Sequence, residues 1–386
     1  MSAPQMNITL INASCHCASN RFKVAFSSSS LPIASELCHC NTCRHSTGTL
    51  FIHSVPIIGA PLPPEAVQGD VERKEGNFEH LKTYTTPSGS LTRYFCDKCF
   101  CYMFCKNSSA EASHDWNIYT GALQQVKGIV RVGAHRFVES TLDGGIANHY
   151  PIAYGVELPR YRATKNEKDV LPLDWKAPKL LNALMQPFEA NTTLSAYCDC
   201  KTINLIITRA TTISRPRAQW WLIPPKDNQS PIRYLAAQCT CDSCRLVNGS
   251  LVTSWVYVYR DHVIDANSSL PVVLVPKEGE ARTPGLVQYE SSPGVFREAC
   301  ATCGAKVFYW SGRRKGGPNI LDIAAGLIDQ EQDGARADEW FAWADKIPQP
   351  DNPIDDTLFR DLERGLKAFG CYPVDYKELR KPEEDT

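Results

Sequence analysis

The sequence predicts a mainly β protein made of two tandem copies of one cysteine-rich unit, followed by a C-terminal helix. Three observations carry this expectation. Seven cysteines occur in one order and then recur. The first set is Cys15 and Cys17, Cys38, Cys40 and Cys43, then Cys96 and Cys99. The second is Cys198 and Cys200, Cys239, Cys241 and Cys244, then Cys300 and Cys303, so that fourteen of the 17 cysteines are used. The segments between them are short apolar or alternating runs broken by Pro, Gly and Ser, the pattern of strands and turns. Sustained helical periodicity occurs only near the end of the chain.

A length of 386 residues suits two or three domains. The cysteine repeat divides it into a first unit at 1–160, a linker at 161–189, a second unit at 190–350 and a helix with tail at 351–386. With 43% hydrophobic and 22% charged residues the composition is that of a soluble globular protein. Residues 1–165 carry 15 Lys and Arg against 12 Asp and Glu, and the remainder 26 against 30. Neither part has the basic excess that phosphate-backbone binding requires, so nucleic acid is not expected as a partner. The first ten residues lack the basic and apolar regions of a signal peptide, and no stretch approaches ~20 apolar residues. The expectation is a cytoplasmic protein without a membrane partner. In that compartment dense cysteines are metal ligands more often than disulfide partners, and Cys-x-Cys spacing is awkward for an internal disulfide.

In the first unit, Arg21 to Phe26 alternates polar and apolar residues until Ala25 and reads as a half-buried strand, ended by the Ser27–Ser30 run and Pro32. Leu50 to Val55 is a second strand-like run. Pro56 to Pro64 contains four prolines and reads as loop. Leu81–Tyr84 and Thr92–Phe95 flank a Pro87-Ser88-Gly89 turn, a hairpin signal, and Cys96 and Cys99 fall at the tip of the next hairpin. Asn117–Tyr119 leads into Gly121. The second unit repeats this order with Asn204–Thr208, Leu251–Val256, Asn319–Ile323 and Gly326. Gly249 matches Gly48, each five residues past the last central cysteine. The spacing supports the repeat: 52 residues separate Cys43 from Cys96 and 55 separate Cys244 from Cys300. One gap differs, with 20 residues between Cys17 and Cys38 but 38 between Cys200 and Cys239. The extra piece, about 214–238, carries Trp220 and Trp221 in a proline-rich context and can cover or reshape a nearby site. Residues 161–190 are mixed and proline-bearing. Behind Asp355 and Asp356, the residues Leu358, Phe359, Leu362, Leu366 and Phe369 stand at helical spacing, predicting an amphipathic helix packed on the β-core. Lys381 to Thr386 reads as a frayed tail.

Seven thiols divide naturally into four and three. A Cys-x-Cys and a distant Cys-x-x-Cys can close a four-sulfur tetrahedral zinc site that pins a strand to a hairpin and adds folding free energy. The central Cys-x-Cys-x-x-Cys offers only three thiolates, leaving the fourth position for water, a substrate thiol or another side chain. A thiol arriving there would be held as an ionised sulfur.

These motifs, with Cys38-His39-Cys40-Asn41-Thr42-Cys43-Arg44 and Gly48, and Cys239-Thr240-Cys241-Asp242-Ser243-Cys244-Arg245 and Gly249, resemble the glutathione-dependent formaldehyde-activating enzyme family, also called the centromere-protein-V family. The resemblance covers roughly 8–150 and 190–345 as a tandem pair. It implies a zinc-bearing β-tent, or Mss4-like, fold for each unit and up to four Zn2+ per chain, two per domain. The implied structural sets are Cys15, Cys17, Cys96, Cys99 and Cys198, Cys200, Cys300, Cys303. The implied active-site sets are Cys38, Cys40, Cys43 and Cys239, Cys241, Cys244. The implied activity is that of a carbon–sulfur lyase acting on a thiol adduct, with glutathione as thiol and formaldehyde or another electrophile as partner. One departure is Phe100-Cys101 where the second copy has Gly304, which puts the geometry of that hairpin tip in question.

Eight of the nine histidines lie in residues 1–149. His39, His45 and His53 flank the central cysteines of the first copy, and histidine is the natural proton carrier near neutral pH. His39, His45 and Arg44 are therefore the candidate catalytic residues, and they favour the first copy as the active one. Arg44 and Arg245 follow the third cysteine in each copy, placed either to face an anionic substrate or to bond backbone carbonyls. Cys101, Cys105 and Cys371 are expected as buried free thiols. The alternative function is a zinc-binding interaction module without catalysis.

Overall fold

The computed structural model describes residues 7–71, 73–108, 115–166, 168–184, 192–215, 218–225, 227, 230–314, 319–348 and 354–375. The tail at 381–386, and residues 216, 217, 226, 228 and 229 of the extra segment, lie outside these. The chain is mainly β. In the first half seven strands form one sheet in the order Val130–Arg136, Ile33–Cys38, Ile52–Pro56, Trp116–Tyr119, Tyr102–Asn107, Leu91–Cys96, Leu81–Thr85. The second half repeats it as Phe341–Trp343, Arg233–Cys239, Thr253–Tyr259, Ile320–Ala324, Lys306–Ser311, Val295–Cys300, Leu286–Ser292, with an eighth strand, Leu222–Ile223, also paired to Arg233–Cys239. Even the parallel pairing recurs, Val130–Arg136 beside Ile33–Cys38 and Phe341–Trp343 beside Arg233–Cys239. All other pairs in the two sheets are antiparallel, which suits the short hairpin connections. A smaller sheet stands beside each: Ile8–Ser14, Arg21–Ser27 and Ile58–Leu62 in the first half, Thr193–Tyr197, Asn204–Thr208, Val263–Asp265 and Leu270–Pro271 in the second.

One expectation is corrected. Pro56 to Pro64 is not all loop, because Ile58–Leu62 is a strand despite Pro61. It occupies the outer position of its three-stranded sheet, where a missing N–H removes no ladder bond. The Phe100 departure is resolved without loss. Phe100 takes the left-handed φ of +60° that Gly304 takes at +73°, so both hairpin tips keep one shape. A residue with a side chain pays about 1–2 kcal/mol for this conformation.

A continuous apolar core runs from Ile11 through Leu366 and contains side chains of both halves. The halves meet through backbone as well. The helix Asn41–Thr47 packs on the turn Ala325–Leu327, and the helix Asp242–Asn248 packs on Thr120–Ala122. Gly326 N donates to Gly48 O at 3.0 Å, and Gly121 N donates to Gly249 O at 3.2 Å. This approach explains the matched glycines. Gly48 and Gly249 end their helices with φ of +81° and +69°. A Cβ on Gly48 would lie 2.4 Å from Lys306 O, and one on Gly249 would lie 2.2 Å from Tyr102 O.

The C-terminal helix spans Asp356–Phe369, with the Asp355 carboxylate accepting from Thr357 N and Leu358 N. Leu358, Phe359, Leu362 and Leu366 are buried as expected, whereas Phe369 is 40% exposed. The helix docks mainly on the end of the first half, beside Ile152–Ala153, and touches the half it follows through Glu363, which accepts from Ile347 N at 3.1 Å, and Phe369, which lies under Arg336. Tyr154 donates from its N to Asp361 and from its hydroxyl to Asp355, each at 2.7 Å, and a Cβ on Gly365 would meet His149 O at 2.1 Å. A shorter helix, Pro178–Leu184, lies within the expected linker. No helix among the described residues is long and apolar enough to cross a membrane.

Gly48→Ala is expected to destabilise the chain by about 2–5 kcal/mol, combining left-handed strain with overpacking at the interface. A chemical-denaturation midpoint measures it. A loss under ~1 kcal/mol would mean that the halves do not meet this closely.

Candidate metal centres

Fourteen cysteines converge into four groups: Cys15, Cys17, Cys96, Cys99; Cys198, Cys200, Cys300, Cys303; Cys38, Cys40, Cys43; and Cys239, Cys241, Cys244. Within each group all sulfurs lie within 4.8 Å of one another. Neighbouring sulfurs are 3.4–3.8 Å apart. A disulfide would bring two of them to about 2.05 Å. A tetrahedral ion with sulfur at about 2.3 Å sets its ligands about 3.8 Å apart, so the donor sets fit a metal and not a bridge. Among the described residues no fourth Cys, His, Asp or Glu joins either three-sulfur group.

Backbone N–H groups point at several of the sulfurs. In the first four-sulfur group two loops supply N–H groups, Asn20 N donating to Cys15 and Lys98 N and Cys99 N to Cys96, each at 3.4 Å, and in the second Ile203 N donates to Cys198 at 3.3 Å. In the three-sulfur groups the middle cysteine caps a helix. Cys40 Sγ accepts from Cys43 N and Cys241 Sγ from Cys244 N, each at 3.4 Å. Cys38 and Cys40, together with the Arg93 guanidinium, hold the Cys43 thiol well below its usual range. Cys239, Cys241 and Arg297 do the same for Cys244.

Those two arginines are site residues that the sequence reading missed. Arg93 is 1% exposed, with Nη2 donating to Cys43 Sγ at 3.3 Å and Nη1 to the Tyr119 hydroxyl. Arg297 is 3% exposed, with Nη1 donating to Cys244 Sγ at 3.3 Å and Nη2 to Ser243 at 3.0 Å. A signal was available, since each stands three residues before its Cys-x-x-Cys pair.

The histidines next to the first central group face other partners. His39 is fully buried, its Nε2 2.9 Å from His135 Nδ1, whose Nε2 in turn meets Tyr150 O at 2.8 Å. His45 stacks on Tyr197 and pairs with Tyr197 O at 2.8 Å and Gln330 at 3.2 Å. His53 meets Ser35 at 2.6 Å and Thr120 at 3.2 Å. Burial pushes His45 down to about 3 and His53 to about 4, and it pushes His39 well below the usual histidine value. Arg44, fully buried, donates to Asn41 at 2.8 Å and across the interface to Gln330 at 2.7 Å. Arg245 donates to Gly121 O at 2.6 Å and Leu123 O at 2.8 Å, also across the interface, and to Asp242 at 2.9 Å. Both arginines thus tie the halves together.

Different residues border the groups on the half-exposed side. Asp199, between Cys198 and Cys200, donates from its N to His45 O at 3.0 Å and accepts from the Tyr84 hydroxyl at 2.6 Å. His16, between Cys15 and Cys17, shares hydrogen bonds with Tyr289 at 2.8 Å and Ser243 at 3.3 Å. The extra segment also reaches the second group's sheet. Trp220 packs on Tyr257 with centroids 5.0 Å apart, in a row across the strands that continues through Asp322 and Tyr309 to Arg297.

Cys101 and Cys105 are buried, and burial raises both thiols. Half-buried Cys371 is pushed up to about 12 by burial. None of the three joins a metal group.

Residues 10–140 match the family model described as glutathione-dependent formaldehyde-activating enzyme. The match ends before the second cysteine set. No curated protein matches the chain.

Removing a charged donor from a thiolate costs about 1.5–3 kcal/mol. Arg93→Gln is therefore expected to weaken metal binding at Cys38, Cys40 and Cys43 about 10- to 100-fold, leaving the second three-sulfur group unchanged. Competition with a metallochromic chelator reads this out. Equal affinity in the variant would remove Arg93 from the centre.

Proposed function

We propose that this chain, whose residues 10–140 match the glutathione-dependent formaldehyde-activating enzyme family model, is a zinc-dependent carbon–sulfur lyase acting on a thiol adduct of formaldehyde or another small electrophile. In this reading the second half is a second copy of the same domain. The four-sulfur groups hold structural Zn2+, the three-sulfur groups hold reactive Zn2+, and glutathione is the thiol. The observation that carries the reading is the three-sulfur group itself, present twice, with no fourth protein ligand among the described residues and a buried arginine on its third sulfur.

The reaction is an addition and its reverse. A thiol sulfur bonds to the carbonyl carbon, the C=O π pair moves to oxygen, and the proton released from sulfur ends on that oxygen. Breakdown reverses each step. Bound zinc supplies an open position that keeps a substrate sulfur ionised and a positive charge near the developing oxyanion. The chain's own residues hold the geometry. Cys40 and Cys241 fix the group to a helix start, and Arg93 and Arg297 hold the third sulfur and offset its charge. With His39, His45 and His53 engaged by protein groups, histidine content no longer favours the first copy, and the proposal covers both.

Zinc-loaded protein mixed with glutathione and formaldehyde is expected to speed adduct exchange measured by NMR. Cys40→Ala/Cys241→Ala is expected to abolish the acceleration and to reduce zinc from about four to about two per chain, with the fold retained. A rate equal to that of the protein-free mixture would leave the interaction-module alternative standing.

A further inference from the structure

The two three-sulfur groups share one frame but have different borders, and each border comes from the opposite half. The frame is set by strand register. Tyr84 lies opposite Arg93, and Tyr289 lies opposite Arg297. Each arginine holds the third sulfur of its group, and each tyrosine bonds a side chain from the other half's Cys-x-Cys loop. At the first group that side chain is Asp199, and at the second it is His16. These two residues are equivalent, each being the middle residue of its loop. They are half-buried, as are their tyrosines, while the arginine behind them is buried. Cys40, Cys43, Cys239 and Cys241 are also partly exposed. A molecule coming from solvent to these sulfurs therefore meets the tyrosine and its partner.

We propose that each half's Cys-x-Cys loop supplies the substrate-positioning side chain for the other half's three-sulfur group, and that the exchange of Asp199 for His16 makes the two groups select thiols by the charge of their tails. The other acids near the groups are already paired: Glu36 with Arg136, Asp242 with Arg245, and Asp322 with Arg314 in two hydrogen bonds. Asp199 has a neutral hydroxyl as its side-chain hydrogen-bond partner, with the Arg93 and Lys201 cations acting on it only from a distance. Its carboxylate favours a thiol carrying an ammonium and disfavours one carrying a carboxylate. The second group, with an imidazole, a serine hydroxyl and a tyrosine at the same place, lacks that carboxylate. The inference rests on the reading that thiols bind these groups. It adds that specificity is written in the opposite half, so that neither half contains a complete site.

Isothermal titration of the zinc-loaded full chain with cysteamine and with 3-mercaptopropionate tests it. Cys241→Ala isolates the first group and Cys40→Ala the second. The first group is expected to prefer cysteamine about 5- to 10-fold more strongly than the second does, the effect of one charge partly screened by solvent. Asp199→Asn keeps the shape and the Tyr84 partner and should remove that preference in the Cys241→Ala chain. His16→Asp places a carboxylate beside Tyr289 and should install it in the Cys40→Ala chain. Thiol binding with selectivity unmoved by Asp199→Asn would overturn the cross-half assignment alone. A change at the same-half group in place of the opposite one would also overturn it. Absence of thiol binding in both single-group chains would overturn the proposed function and this inference with it.

Discussion

Everything in this protein hangs on sulfurs brought together from strand ends far apart in sequence. In each half, a loop near the start and a hairpin tip about 80–100 residues later must meet before the four-sulfur group can form. Ordering so long a connection is costly, and a metal held by four thiolates repays that cost directly as folding free energy. The large sheet is laid out between these two points, and the central three cysteines sit where its second strand runs into a short helix. The same pinning has a further effect. It fixes the middle residue of each Cys-x-Cys loop, His16 or Asp199, and the interface sets that residue against the other half.

The interface is an intramolecular version of an isologous contact, in which matched surfaces meet twice. Helix meets turn, Gly48 meets Gly326, and Gly249 meets Gly121. Arg44 and Arg245, adjacent in sequence to the third cysteine of each group, each bond one residue of their own helix and reach across to the opposite half. Matched contacts of this kind leave the surroundings of the two groups free to differ. The aromatic row from Trp220 to Arg297 at one group, against Cys105 and Asn117 at the corresponding places of the other, is the visible result.

Much of this was legible in the sequence where the signal is local. Cysteine spacing named all four groups, the Pro87-Ser88-Gly89 turn named a hairpin, and Asp355 with Leu358, Leu362 and Leu366 named the last helix. Edge position is not local, so the sequence alone makes the strand containing Pro61 look like loop. Proximity in sequence misled for the histidines: His39, His45 and His53 flank the central cysteines along the chain, yet their rings bond elsewhere. His16 carries no local signal, because the group it borders lies more than two hundred residues away. Arg93 and Arg297 were within reach, because their offset from the following cysteine pair is the same in both copies.

Two of the four sulfur groups must keep a position open for a thiol if the proposed chemistry is to occur. Zinc K-edge X-ray absorption of the metal-loaded chain, recorded with and without glutathione, measures this directly. An average of about 3.5 sulfur ligands per zinc is expected, rising to about 4 when glutathione is added. A sulfur number that glutathione leaves unchanged would contradict it.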